Sequence, residues 1–440
     1  MNNFTNSHPS ELEIDGKIPK NNLSLSPRIY FDHASATPVK KEALVEFERV
    51  AKGYFANASS IHTEGENSRE LLERMRKDFA YLVRAKKSEV HFVGSSTEAN
   101  NIFIQGAVEA SLKAGQKPHI ITSLAEHASI LEPIKALEKS GVEVTHIMPN
   151  DFGQISVEQI KNALQKNTLL IALSSIHSET GTMQPIREIA LMLQTYAKEN
   201  NTTKPLLYID STQAVEYDTV DVGTLLCDGM TFGARKIGAL GGVALMYIKR
   251  LTSIEPIIFG GGQEGGIKSG TENLALIAAF LKVAEEVIGD KNKKQESFEK
   301  VTGLKIYLLE KLKSEVGEKV EILSSGKTKS INVKSLATGT HRQSQYFVHS
   351  SPHITLLHIQ HILGEEMVLR LDAKGIAVST ASACSITEGS GSNLLKSLGK
   401  HKEAKETIRI SFNHTNTFEE IDVFVENLKE IVEKYQTVLD

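Results

Sequence analysis

Residues 168–215 read TLLIALSSIHSETGTMQPIREIALMLQTYAKENNTTKPLLYIDSTQAV. Two short apolar runs, TLLIALSS and LLYIDS, enclose IREIALMLQTYAKEN, in which apolar residues recur at helical spacing. Strand, helix and strand in that order form a crossover unit, and backbone chirality makes such crossovers right-handed, so that helices cover a parallel sheet. The pattern extends outward in both directions. EVHFVG, HIITS and VEVTHIM precede the stretch, MTFG and VALMYI follow it, and SILEPIKALEKS is a further amphipathic segment. The fold class is therefore α/β, a large domain with a mostly parallel sheet between helices, and its ligand site belongs at the carboxyl ends of the strands.

After about Leu274 the texture changes to long helical periods, LALIAAFLKVAEEVIG and ESFEKVTGLKIYLLEKLKSEVG, and then to a mixed region ending in TIRISF and a charged helix. This reads as a smaller α+β domain. The expected division is a flexible polar arm over 1–28, a large domain over 29–273 and a small C-terminal domain over 274–440. Within the last, the polar stretch 324–351 reads as an irregular insertion or mobile loop. With 440 residues, Lys+Arg 50 against Asp+Glu 54 and a net charge of −4, the chain has room for such a core and no basic field to draw nucleic acid or anionic lipid. Its two cysteines, Cys227 and Cys384, make neither a disulfide framework nor a CxxC pair for zinc, which suits a reducing compartment. No apolar run reaches the roughly 18 residues of a membrane helix, so the expectation is a cytoplasmic protein with no membrane and no direct nucleic-acid partner.

The motifs that carry chemistry cluster at strand ends. GKT at Gly326 to Thr328 is not a phosphate loop, because Glu321 stands where the first glycine is required. In VGSSTEANN, Ser95, Ser96 and Thr97 fall where a strand gives way to a helix, and helix amides with short hydroxyls favour a phosphate group. LLYID ends in Asp210, with Gln213 a turn later, and Lys236 follows the next strand. FGGGQEGGIKSGTEN, from Phe259 to Asn273, suits backbone that passes close to a ligand or another subunit, or a tight connection between domains. A phosphate site, an acid able to hold a protonated ring nitrogen and a lysine able to form an imine are the requirements of pyridoxal phosphate chemistry.

These residues resemble the class V aminotransferase fold and, within it, the cysteine desulfurases. The resemblance runs from YFDHASATP near residue 30 to FEEIDVFVENLKEIV near the end, through ASSIHTEG, STEANN, AEHASILEP, ETGTMQPI, YIDSTQAV, GARKIG, GGGQEGGIKSGTEN, VSTASACS and TIRISF. It implies that the large domain binds pyridoxal 5'-phosphate. Lys236 would hold it covalently, Asp210 would pair with the pyridine nitrogen, Gln213 would reach the phenolic oxygen and His127 would stack on the ring and help move protons. Ser96 and Thr97, with the helix amides, would bind the phosphate, and Thr271 would reach the phosphate of a partner subunit in a homodimer. Cys384 would be the nucleophile on a mobile loop, taking sulfur from L-cysteine as a persulfide and releasing L-alanine. Arg409 would clamp the substrate carboxylate. A sulfur acceptor or iron–sulfur scaffold protein is the implied partner, with metal association entering through cluster assembly or, alternatively, tRNA thiolation as the destination.

The chain also departs from the family pattern. His177 and Ser178 stand in place of an Asn pair, leaving Ser178 as the shorter substrate contact. Gly233-Ala234-Arg235 replaces a Ser-x-His before the lysine, so that Arg235 would supply the phosphate contact. His33 replaces an Asn, and Leu240-Gly241 a common Pro-Lys. These changes leave open a divergent pyridoxal phosphate lyase, such as a selenocysteine lyase, or a scaffold paralogue of low activity.

Overall fold

The computed structural model describes residues 28–324, 349–381 and 391–435, together with the backbone of 328–334, 341–347 and 436–439. Residues 1–27 of the arm expected over 1–28 and Cys384 lie outside them. The chain enters through a short strand, β1 (Ile29–Tyr30), and then builds a seven-stranded sheet from β2 (Val90–Val93), β3 (His119–Ser123), β4 (Glu143–Ile147), β5 (Thr168–Ser174), β6 (Leu206–Asp210), β7 (Gly229–Gly233) and β8 (Ala244–Ile248). Their order is β2-β8-β7-β6-β5-β3-β4, and only β8 runs antiparallel to its neighbours. The mostly parallel α/β sheet expected from the alternating runs is thus present.

Both faces of the sheet are buried, which explains why its strands read as continuous apolar runs. Side chains alternate between the faces. Leu170, Ala172 and Tyr208 join one core with helices Ser96–Lys113 and Ala128–Lys139. Ile171, Leu173, Leu207 and Ile209 join the other, with helices Thr63–Val83 and Leu274–Ala284. The same alternation puts Asp210 on the face of Tyr208 and hence under helix Ser96–Lys113. Phe103 of that helix stacks on Tyr208, with centroids 4.4 Å apart, and a Cβ at Gly229 would overlap the Phe103 ring.

The C-terminal portion holds a second sheet made of β9 (Val320–Ile322), β12 (Ile354–Ile359), β14 (Ser379–Thr380) and β15 (Thr407–Ser411), in the order β14-β15-β12-β9. Helices Lys291–Glu315, Gly364–Ala373 and Phe418–Leu439 accompany it, and a third apolar core fills this region. The opening strand β1 pairs with β13 (Ile376–Ala377), and Phe31 lies in this third core rather than in either core of the large sheet. The stretch expected to be irregular is different in backbone: β10 (Thr328–Lys334) and β11 (His341–Phe347) form an antiparallel pair with Thr328 opposite Phe347 and Lys334 opposite His341. Its polar composition conceals β-branched Thr328, Ile331 and Val333, which favour extended backbone.

Candidate active site

Three parallel strands end side by side, and the segments that leave them enclose a cavity of about 350 Å³. Two larger cavities, of about 630 and 690 Å³, lie elsewhere, and neither sits at the carboxyl ends of β5 to β7. The first wall of the strand-end cavity is the start of helix Ser96–Lys113. Ser95 caps it by accepting a hydrogen bond from Glu98 N at 3.1 Å, and the Glu98 carboxylate turns back to Gly94 N. The amides of Ser96 and Thr97 have no partner among the described residues, as an anion site at a helix start requires. Ser96, Thr97 and Arg235 line the cavity at this end.

The second wall is catalytic in composition. Asp210, at the tip of β6, is 7% exposed and lines the cavity with His127, Gln213 and Lys236. Its Oδ1 accepts from Thr212 N at 2.9 Å, and its Oδ2 accepts from Asn100 Nδ2 at 2.9 Å. Asn100 also donates to Ser129 Oγ at 2.7 Å and accepts from the Tyr208 hydroxyl at 2.7 Å. Ser129 Oγ in turn meets His127 Nδ1 at 2.8 Å. Burial keeps the Tyr208 phenol well above its ordinary pKa, so it remains a donor.

Lys236 sits in a short 3-10 turn, Ala234–Ile237, after β7. Its Nζ donates to the carbonyls of Ala34 and Ser35 at 2.8 and 2.7 Å, and Gln213 Nε2 donates to Ala34 O at 3.0 Å. The segment DHASATP thus bridges the lysine to the second sheet, where Asp32 pairs with Arg409 at 3.1 Å. His353 Nε2 lies 3.3 Å from Gln213 Oε1, while its Nδ1 lies 2.6 Å from Ser351 Oγ. Burial holds the His353 ring neutral, and because Gln213 Oε1 can only accept, His353 Nε2–H donates to it, which leaves the Gln213 amino group on the side of Ala34 O.

Eight of the residues singled out in the sequence, Ser96, Thr97, His127, Ser178, Asp210, Gln213, Arg235 and Lys236, line this one cavity. Arg409 does not. It is 6% exposed, donates to Ser178 O at 3.0 Å and to Ser35 Oγ at 2.7 Å, and its buried Nε has no partner among the described residues, so it lies behind the cavity wall. Thr271 is exposed and belongs to no wall of this cavity. Of the departures, His177 is turned inward: its Nε2 meets Ala125 O at 2.9 Å and its Nδ1 meets Thr180 Oγ1 at 3.0 Å, with burial lowering its pKa. His33 is also buried, its pKa lowered to about 4 chiefly by desolvation, and it does not line the cavity.

Sequence reading missed Asn100, Ser129, Tyr208 and His353, which orient the lining residues. STEANN and AEHAS contain two of them, yet only the pleat parity of β6 shows that they meet. Among the described residues no group of three or more His, Cys, Asp or Glu side chains is placed to hold a metal, and no helix is long and apolar enough to cross a membrane.

The cavity fits pyridoxal phosphate: a lysine, a buried carboxylate and an imidazole share it with open amides at a helix start. Comparison with known proteins agrees. The aminotransferase class V family model matches residues 29–424. A NifS/IcsS protein homologue of Lactobacillus delbrueckii subsp. bulgaricus is 32% identical over 93% of this chain and 98% of its own. A cysteine desulfurase IscS of Dictyoglomus turgidum is 31% identical over 93% of this chain and 96% of its own. A solved NifS-like protein superposes with a TM-score of 0.78 at 26% identity, covering 92% of this chain and 99% of that one. The chain belongs to the pyridoxal phosphate-dependent class V aminotransferase family, in its NifS/IscS cysteine desulfurase branch.

Proposed function

We propose that the protein is a cysteine desulfurase that converts L-cysteine to L-alanine and takes the sulfur onto Cys384 as a persulfide. The observation that carries this reading is the convergence of Lys236, Asp210, His127 and Gln213 on one strand-end cavity. Bound there, pyridoxal phosphate supplies an electron sink for bonds at the substrate α- and β-carbons. Lys236 would anchor it, Asp210 would hold a proton on its ring nitrogen, and Gln213 would donate to its phenolic oxygen through an amino group fixed by His353. Ser96, Thr97 and Arg235 would meet its phosphate. Ser178 would orient the substrate carboxylate from the cavity wall, and Arg409, which stands behind it, would join the clamp by exchanging its contacts with Ser178 O and Ser35 Oγ for the carboxylate.

The Cys384 thiolate would attack the substrate sulfur: an S–S bond forms, the carbon–sulfur bond breaks with its electron pair left on carbon, and a proton added at that carbon completes alanine. Cys384 lies outside the described residues, so its role rests on its place in VSTASACSITEG. The other thiol, Cys227, is buried and its pKa is raised to about 12 by desolvation, which makes it a poor nucleophile. We further propose a homodimer in which exposed Thr271 contributes to the partner's site, and an acceptor protein, of the iron–sulfur scaffold or thiolation kind, that takes the persulfide sulfur.

The test uses purified protein loaded with pyridoxal phosphate and given L-cysteine and a thiol reductant. Alanine and sulfide in equal amounts are expected. Cys384→Ser should abolish sulfide release while the cofactor absorbance stays, whereas Lys236→Ala should lose the covalently held cofactor. Normal sulfide release by Cys384→Ser would rule out the persulfide route, and turnover of selenocysteine alone would reassign the substrate.

A further inference from the structure

We propose that Asn100, acting through Ser129, is a positioning residue that holds the neutral His127 ring with its proton on Nε2, so that the imidazole offers the cavity a hydrogen-bond donor and not a lone pair. The assignment rests on the proposed function only in taking this cavity as the working site. It follows from counting protons along one chain of contacts. Asp210 Oδ2 lies 2.9 Å from the Asn100 amide, and a carboxylate accepts only, so the amino end of Asn100 must face it. The Tyr208 hydroxyl at 2.7 Å from Asn100 Oδ1 fits that orientation, because a phenol donates to a carbonyl oxygen.

The amide's second N–H is then directed at Ser129 Oγ, 2.7 Å away. A serine hydroxyl has one proton. With a lone pair committed to Asn100, that proton is free to point at the other neighbour, His127 Nδ1, at 2.8 Å. The backbone N–H of Ser129 approaches the same nitrogen at 3.1 Å. Two donors converging on Nδ1 leave it no room for a proton of its own, and the tautomer of a neutral imidazole is set by the hydrogen bond its other nitrogen makes. His127 therefore carries its proton on Nε2. It can steady an acceptor in the cavity, but it cannot take a proton at Nε2 unless Ser129 and Asn100 first rearrange. The carboxylate that meets the cofactor ring and the imidazole of the same cavity are in this way set by one amide.

The experiment uses the loaded enzyme with ¹⁵N-labelled histidine, and long-range proton–nitrogen correlation NMR identifies His127 by the signals missing from a His127→Gln variant. An unprotonated, hydrogen-bonded Nδ1 and a protonated Nε2 are expected; a protonated Nδ1 with a bare Nε2 overturns the proposal. Ser129→Ala removes one of the two donors without touching Asp210. It should mix the tautomers and lower kcat for alanine formation about tenfold, the kinetic equivalent of one hydrogen bond, with KM and cofactor absorbance unchanged. Ser129→Thr, which keeps the hydroxyl, should restore both. Asn100→Ala should give the same nitrogen signature as Ser129→Ala. Nitrogen shifts of His127 that stay put in Ser129→Ala also overturn the proposal. A wild-type protein that shows the Nε2–H ring yet forms no alanine supports the tautomer assignment while removing the desulfurase reading.

Discussion

Glu126 precedes His127 and is buried with its carboxyl against β5, where Ser174 N and Ser174 Oγ donate to Oε2 at 2.9 and 2.6 Å. Burial raises its pKa to about 8, with the nearby Asp210 charge acting in the same direction. An acid whose folded pKa lies above its unfolded value keeps a proton that the unfolded chain has given up. Its stabilising effect is complete below about pH 4.5 and is lost as pH rises toward 8. The expected outcome is that the Tm of the native protein falls between pH 5 and 8, that Glu126→Gln flattens this fall, and that the variant is the more stable of the two at pH 8. Thermal unfolding at several pH values decides it, and a wild-type Tm that does not fall over that window would show that Glu126 is ionised in the fold. The expected residues that the structure brings to the cavity stand at a strand end or helix start: Asp210, Lys236, Ser96. Those that sequence reading missed reach the cavity residues through side-chain contacts: Asn100 meets Asp210, Ser129 meets His127 and His353 meets Gln213. Nothing near Asn100 in the sequence points to Asp210, because their meeting depends on which face of the sheet residues 208 and 210 share.

At the scale of elements, the glycine-rich run from Phe259 to Asn273 carries a buried ion pair at its middle. Glu264, 4% exposed, receives Arg76 of helix Thr63–Val83 through two bonds of 2.6 and 3.0 Å and also accepts from Phe92 N of β2 at 3.0 Å. Arg76 lies over the Phe92 ring at 5.0 Å and donates to Val90 O at 2.8 Å. Gly260, Gly261, Gly262, Gly265 and Gly270 are exposed, while Ile267 packs against the core and Ser269 N donates to Ile258 O, so the run is a loop anchored beneath its glycines and not a wall of the cavity. Breaking one partner of such a pair strands a buried charge, so Arg76→Leu should lower stability by about 3–5 kcal/mol in urea unfolding, while Arg76→Leu with Glu264→Leu together should recover much of it. A double variant no more stable than the single one would place the effect in the Phe92 and Val90 contacts instead. Gly229→Ala tests the sheet–helix contact in the same way: the added methyl meets the Phe103 ring that stacks on Tyr208, and a loss of about 1–3 kcal/mol is expected. Strand and helix order was legible because each element announces itself locally. The pairing of β1 with β13 was not, since Ile29 and Ile376 come together only through the closure of the whole chain.

At the scale of the whole molecule, Phe31 and the segment after it couple the two sheets. Ser411 N donates to Phe31 O at 2.8 Å, Ala34 N donates to Ser411 Oγ at 2.8 Å, and Lys236 Nζ reaches the Ala34 and Ser35 carbonyls, so a continuous line of hydrogen bonds and backbone runs from the second sheet to the lysine. The cavity nevertheless has no wall built from residues 259–273 of its own chain. Phe259 is 81% exposed and Thr271 is exposed, which suits a segment that is completed by a second copy. If Thr271 acts in the partner's site, sedimentation should give twice the chain mass of 48.3 kDa, and Thr271→Ala should weaken cofactor retention roughly tenfold or more, the loss of one hydrogen bond to a charged group. Mixing then separates action within a chain from action across the pair. A mixed dimer of Lys236→Ala and Thr271→Ala chains would hold one site with both defects and one site intact. Refolding the two variants together should therefore restore a quarter to a half of the native alanine yield per dimer, depending on how freely chains exchange. If Thr271 served its own chain, every site in the mixture would carry one defect, and mixing would restore nothing.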